Sequence, residues 1–316
     1  MEKESNNYLE VCQSNKIWDE FIAEANESSP FMYSWFIETL AQPNEKLFYM
    51  DKGKPKAAVL IYKESNKILQ PNYSVYQSLC FKKNEKDNVS ERFQIFDNIL
   101  TQLTYEYKGE IRLSFHPLIK DVRPLLWHNY NEEKSAKFNC FIRYTALLNL
   151  NSISDVNDYL RSVRLNRCRD YKKSVKENIS SSIGATKGEV INLYRKTFER
   201  QGIIVDLKSI NFLERLTESL NSERGFVYVA RNDRGVAIAL TICLIDKDTA
   251  YSLIIANDYD YRGTGANTAC LIDAIMYAKK LGKKYFDFVG ANSPQRGDYK
   301  LSFNSNLEQY FEASCR

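Results

Sequence analysis

Most of the side chains that can do chemistry lie between Asp287 and Lys300. Asp287 stands in an aromatic segment, 285–289, where strand alternation sets it opposite Phe286 and Phe288. Gly290 breaks that segment. Asn292, Ser293, Pro294 and Gly297 then read as a polar loop, and Tyr299 and Lys300 close it before Phe303. A carboxylate, a phenol and an ammonium around a polar, glycine-bounded loop read as a site rather than a scaffold, since loops carry function more often than cores do. Ser293 and Arg296 are candidates for substrate contact. An ordinary surface loop after an edge strand has the same composition, and both readings stand on these residues alone.

A second stretch, Arg262-Gly263-Thr264-Gly265-Ala266-Asn267, directly precedes a helical pattern. Backbone N–H groups at a helix start attract anions, and glycines let a phosphate come close. Arg262, Gly263, Gly265 and Asn267 are therefore candidates for holding a donor's phosphates. The alternative is a glycine turn with Asn267 as the helix cap. A third stretch is strongly basic, with Arg161, Arg164, Arg167, Arg169, Lys172, Lys173 and Lys176 opposed only by Asp158 and Asp170. Leu160, Val163, Cys168, Tyr171 and Val175 give it an apolar stripe. It reads either as a solvated face or as a patch for tRNA, a nucleotide-linked sugar or an anionic lipid. Tyr33, Trp35, Tyr73, Tyr76 and Arg123 are candidates for an acceptor groove, with core packing as the alternative for the aromatic ones.

Composition narrows the classes. With 44% hydrophobic and 27% charged residues in 316, the chain reads as a soluble globular protein large enough for two domains. No apolar run is long enough to span a membrane, and the polar opening, 1–7, lacks a signal core. The seven cysteines are scattered without a Cys-x-x-Cys pair, which points to a reducing, cytoplasmic setting. The two histidines, His116 and His128, have no metal-ligand spacing and no nearby nucleophile elbow, so neither zinc nor a histidine triad is expected. A net charge of +4 does not by itself call for nucleic acid.

The elements that must position these residues follow one order twice. In the first half, helices over 17–25 and 34–41, the latter capped by Ser34, precede a meander of strands at 46–50, 57–62 and 67–70. The loop 72–76, a helix over 91–107 and a strand at 111–115 follow, and a further strand is expected at 141–150. The second half opens with one long helix over 154–176. Helices over 187–199 and 210–220, strands at 225–230, 236–244 and 250–256, a helix over 267–281 and the strand 285–289 complete it. A meander, a helix and a return strand make a mixed α/β layer rather than a doubly wound sheet. We therefore expect two tandem domains, 1–150 and 151–316, each a mixed, mostly antiparallel sheet flanked by helices.

With these pieces in place the chain resembles the FemAB-like branch of the GNAT acyltransferase superfamily, which includes the peptidoglycan interpeptide-bridge aminoacyltransferases. The likeness runs through Trp18-Asp19-Glu20-Phe21 with Pro30 to Trp35, through Arg123 to Trp127 with Arg143 to Leu148, and through Arg164 to Lys173. It ends on Gly265-Ala266-Asn267, on Phe286 to Gly290 and on Tyr299 to Phe303. The coiled-coil arm of some members is missing between 176 and 225. The lysine often found after the first-domain tryptophan is also missing, since Phe36, Ile37 and Glu38 follow Trp35. The resemblance implies an N-acyltransferase without a prosthetic group, acting on a cell-envelope or sugar-type amine from the cytoplasm, at the inner membrane face or free of it. It supports Tyr299 and Lys300 most directly, and implies that Lys300 meets the developing oxyanion or a charged group of the donor, that Tyr299 shapes the tunnel or protonates the leaving group, and that Asp287 orients the acceptor amine or acts as a base through water. Acyl-coenzyme A, which fits Arg262 and the glycines, is the expected donor because the arm is missing. An aminoacyl-tRNA-dependent transferase and a non-catalytic binding protein on a degenerate transferase fold are the alternatives.

Overall fold

A computed structural model of the chain describes residues 7–83, 88–133, 135–199 and 202–316. The polar opening of the sequence lies outside them apart from Asn7. The chain forms two compact units, Met1–Arg143 with Gln309–Arg316, and Tyr144–Glu308. Among the described residues no helix is long and apolar enough to cross a membrane.

Both units follow one plan. In the first, the strands Asn44–Asp51, Lys54–Glu64 and Lys67–Leu69 run antiparallel in series. The helix Val89–Glu106 follows, and the strand Ile111–Ser114 returns parallel to Lys67–Leu69. In the second, Gly225–Arg231, Ala237–Ile245 and Thr249–Asn257 form the antiparallel series. The helix Ala266–Lys280 follows, and Tyr285–Asp287 returns parallel to Thr249–Asn257. These are the expected tandem α/β layers. Each helix buries its apolar stripe on its own sheet: Ile99, Leu100 and Leu103 with Val59 and Leu113, and Leu271, Ile275 and Ala278 with Ala250 and Phe286. Ala266, Ala269, Ala274 and Ala278 are all buried, and their short side chains let that helix lie close to the strands. Full burial of each large side chain here contributes roughly 1.5–3 kcal/mol.

Each unit is completed by a strand that follows the other unit in sequence. Phe138–Asn149 pairs through Leu147, Leu148 and Asn149 with Asp287, Phe286 and Tyr285. Asn306–Cys315 pairs through Glu312 and Cys315 with Ser114 and Ile111. The strands Asn7–Val11, Leu79–Phe81, Ser180–Ile183 and Asn306–Cys315 were not anticipated from the sequence.

Several local expectations are corrected. The long helix over 154–176 is two helices, Val156–Ser162 and Leu165–Lys176. Val163 and Arg164 are extended between them, and the Arg164 N–H donates to the Ser302 carbonyl at 3.0 Å instead of continuing a helical ladder. Ser34 does not cap its helix. Tyr33 takes the cap position, and the Asp19 carboxylate accepts the Ser34 N–H at 2.8 Å and the Ser34 hydroxyl. A charged acceptor from a neighbouring helix outcompetes a local hydroxyl. The loop expected around 292–300 is largely a helix, Pro294–Leu301, whose proline sits in the first turn, where its missing N–H costs nothing.

Candidate active site

The parallel strands Thr249–Asn257 and Tyr285–Asp287 pair at only three positions, the last being Tyr251 with Asp287. Beyond it the second strand ends, so Ser252 to Asn257 have no strand partner on that side among the described residues. Ligands in α/β sheets bind beyond the carboxyl ends of parallel strands, and this is such an opening. At its edge Val289 and Gly290 are both left-handed, with φ of 52° and 72°. That conformation is natural for glycine and strained for a β-branched valine. Surrounding bonds hold it in place. Asp287, 3% exposed, accepts the Val289 N–H at 2.7 Å and the Thr145 hydroxyl on one carboxylate oxygen. The Thr145 oxygen in turn accepts the Gly290 N–H at 3.2 Å. The Ala291 N–H reaches the Tyr144 carbonyl at 2.7 Å, and the Asn292 side chain accepts the Tyr144 N–H at 2.7 Å.

The strained turn aims two carbonyls at one ammonium. Lys300 Nζ donates to the Val289 and Gly290 oxygens at 2.6 Å each. A lysine ammonium has three N–H groups, so one is left for a substrate. Burial pushes the Lys300 pKa down to about 8, the Asp287 carboxylate opposing the shift and Arg296 adding to it. Gly297 lets the Pro294–Leu301 helix press onto the turn, because a Cβ there would lie 2.8 Å from the Ala291 oxygen.

Tyr299, on the same helix, has its hydroxyl oxygen bonded by the Asn267 amide at 2.8 Å. Burial raises the phenol to about 12 although Arg167 opposes it, so Tyr299 stays protonated. The Arg167 guanidinium lies 4.9 Å from the Tyr299 ring centroid. It also donates to the Thr268 hydroxyl at 2.9 Å and pairs with Asp170 at 3.0 Å. Sequence reading placed Arg167 among the surface charges. Its spacing to Tyr171 and Ser174, four and seven residues on, was the signal that it lies on the packed face. Thr145 carried no such signal, since its part depends on strand pairing with distant residues.

The stretch before the Ala266–Lys280 helix is built differently from a phosphate cradle. Gly265 is left-handed at φ 81°, and a Cβ on it would overlap the Asp170 carbonyl of the basic helix. The Thr268 hydroxyl donates to the Asp170 carboxylate at 3.1 Å, which sets an acid beside the first turn. Gly265 thus serves close packing, and Asn267 holds Tyr299. Arg262 and Gly263 remain exposed on the turn Tyr259–Thr264, with open space around Gly263.

The other candidates fall as follows. Ser293 is exposed at the cap position of the Pro294–Leu301 helix, and Arg296 is exposed on it. In the first unit Tyr76 is a core residue, 1% exposed, packed on Phe31, His116 and Tyr310. Tyr73 is half-buried at φ 66° in the same loop. The Tyr33 hydroxyl accepts from Ser28 at 3.4 Å, and Trp35 lies edge-on to Phe36. Arg123 is held by both oxygens of Asp121, at 2.8 and 2.6 Å, over the rings of Phe93 and Trp127. The second unit therefore sets Lys300 on the turn that Asp287 braces and, one residue earlier on the same helix, Tyr299 against Asn267 and Arg167, while the five first-unit residues are spread through its core and surface.

Residues 175–301 match the family model described as an acetyltransferase (GNAT) domain. No curated protein sequence matches the chain. Solved structures do. FemX aligns over 96% of both chains with a TM-score of 0.65 at 11% identity. The C-terminal domain of a protein assigned as a lysylphosphatidylglycerol synthetase, from Agrobacterium fabrum, aligns over 95% of this chain and 92% of its own, with a TM-score of 0.61 at 10% identity. A tandem GNAT protein from the clavulanic acid biosynthesis pathway aligns over 98% of both chains, with a TM-score of 0.54 at 10% identity. At these identities the likeness to the solved structures is one of fold.

Proposed function

We propose that the chain, whose residues 175–301 match a GNAT acetyltransferase model and whose fold is like that of FemX and a tandem GNAT protein, moves an aminoacyl group from the ester of an aminoacyl-tRNA to an amine of a cell-envelope acceptor. The observation that carries this reading is Lys300, with one N–H left over on the turn beyond the split between two parallel strands, next on its helix to a protonated Tyr299 held by Asn267. The acceptor's neutral amine attacks the ester carbonyl. The carbonyl oxygen gains charge, and the Lys300 ammonium stabilises it. As the C–N bond forms and the C–O bond breaks, Tyr299 protonates the leaving oxygen and regains a proton from the amine through solvent. Asp287, engaged beneath the turn, acts as a positioning residue that fixes the carbonyls facing Lys300.

The donor choice rests on the helix start at Ala266. The Asp170 carbonyl packs against Gly265, where even a Cβ would overlap it, and its carboxylate, paired with Arg167, accepts from Thr268 in the first turn, so that place is already filled where a pyrophosphate would lie. Acyl-coenzyme A is the second reading, favoured by the exposed Arg262 and Gly263. The envelope acceptor is supported by the likeness to FemX and to the lysylphosphatidylglycerol synthetase domain. Calorimetric titration with charged tRNA and with coenzyme A separates the donors. We expect tRNA binding that weakens steeply with salt and no binding of coenzyme A at millimolar concentration. Coenzyme A binding that is lost in Arg262→Ala would move the donor to acyl-coenzyme A.

A further inference from the structure

A groove of about 670 Å³ runs between the helices Val156–Ser162 and Leu165–Lys176. Leu160, Val163, Leu165 and Cys168 form its apolar floor, and Arg161 and Lys172 stand at its rims. On the Leu165–Lys176 helix Arg169, Lys172, Lys173 and Lys176 follow the i, i+3, i+4, i+7 spacing of one helical stripe. All four are exposed. The other cations of this segment have carboxylate partners: Arg161 pairs with Asp158, Arg164 with Asp298 and Arg167 with Asp170. No ion pair to the four stripe cations occurs among the described residues. Leu165 and Val175 border the stripe at 63% and 62% exposure, an arrangement that leaves aliphatic surface in water beside unpaired charge.

We infer that this face docks the protein on an anionic phospholipid surface. The four cations meet the headgroups, Leu165 and Val175 enter the headgroup boundary, and the groove accommodates an acyl chain. A cationic helix face edged with aliphatic side chains is the pattern of an interfacial helix, and juxtamembrane cations are drawn to anionic lipid. Single-stranded nucleic acid is met by cations together with aromatic stacking platforms. The one aromatic residue of this helix, Tyr171, is turned inward with its hydroxyl on Asp273 at 3.0 Å. The inference rests on and deepens the envelope-acceptor reading, and its test reads binding and no transfer activity, so either can fail without the other.

The experiment is flotation of the full chain with vesicles of phosphatidylcholine alone and with added phosphatidylglycerol, over a salt series. Binding to the anionic vesicles alone is expected. Each cation near the surface is worth about fivefold, so Arg169→Ala, Lys172→Ala and Lys173→Ala together should weaken partitioning by on the order of a hundredfold. Leu165→Ser with Val175→Ser should remove the binding that survives high salt, and circular-dichroism melts matching the unsubstituted protein would show that both variants fold. Equal flotation on neutral and anionic vesicles, or none on either, would overturn the inference. So would a triple variant that keeps vesicle binding but loses affinity for tRNA, which would assign the stripe to RNA.

Discussion

Lys300→Met tests the geometry of the site without knowledge of any substrate. The Lys300 pKa is lowered from 10.5 to about 8 by burial. Below the folded value the lysine is charged in both states, and the folded protein carries the cost of a desolvated charge. Between about 8 and 10.5 the folded lysine is neutral while the unfolded chain still binds the proton, so stability rises with pH through that window. The interval, 10.5 less about 8, at ~1.4 kcal/mol per pH unit gives a ceiling of about 3.5 kcal/mol. Lys300 is only half-buried, so solvent screening brings the expected figure to about 1–2 kcal/mol. Methionine retains most of the stem, and the two carbonyls it leaves without a donor are equally orphaned at every pH, so that loss cancels in the comparison. Urea unfolding of both proteins at about pH 7.5 and about pH 10 gives the two differences. The stability of the unsubstituted protein relative to Lys300→Met should rise by about 1–2 kcal/mol across that range. A difference that stays flat would refute a desolvated Lys300 under the Val289 and Gly290 carbonyls.

Other substitutions read the neighbouring parts. Gly265→Ala joins a left-handed backbone to an overlap with Asp170, and a loss of about 2–4 kcal/mol is expected in thermal unfolding. Gly263→Ala, at a position with open space, should change stability by less than about 0.5 kcal/mol. Thr145→Val removes the hydroxyl shared by Asp287 and the Gly290 N–H, and should lower the urea midpoint by the equivalent of about 1–3 kcal/mol with an unchanged m value. Transfer activity should fall as pH rises through about 8, where Lys300 loses its proton. That descending limb should be absent from the residual activity of Lys300→Met.

The tandem plan was legible because it is written in local periodicities. The helices ending at Glu106 and Lys280 show apolar residues at helical spacing, and the meander strands are short apolar runs separated by polar turns, two of them marked by Gly53 and Gly235. The strands that complete each unit from the far side of the sequence were not legible in the same way. Asn306–Cys315 mixes polar and apolar residues, and its partner, Ile111–Ser114, lies nearly two hundred residues earlier. The Lys300 and Tyr299 pair was visible from residue type and spacing, but its setting was not. Val289, a strand-forming residue, is held left-handed by Asp287 and Thr145, a tertiary arrangement that overrides its propensity. Arg167 was hidden for the opposite reason, since a basic run conceals the one member that turns inward. The tyrosines at 73 and 76 looked available because they sit in a loop that opens with Pro71-Asn72, yet Tyr76 fills the core.

The most direct test follows labelled aminoacyl groups from a pool of charged tRNA into the amines of an envelope-precursor fraction, with Tyr299→Phe compared against the unsubstituted protein. The substitution removes one hydroxyl and keeps the ring over which Arg167 lies, so its melting curve should stay close to that of the unsubstituted protein. Label should appear in amide linkage, and Tyr299→Phe should slow its appearance by roughly 10²-fold or more. Transfer at an undiminished rate in Tyr299→Phe, or transfer from acyl-coenzyme A with none from tRNA, would contradict the proposed reaction.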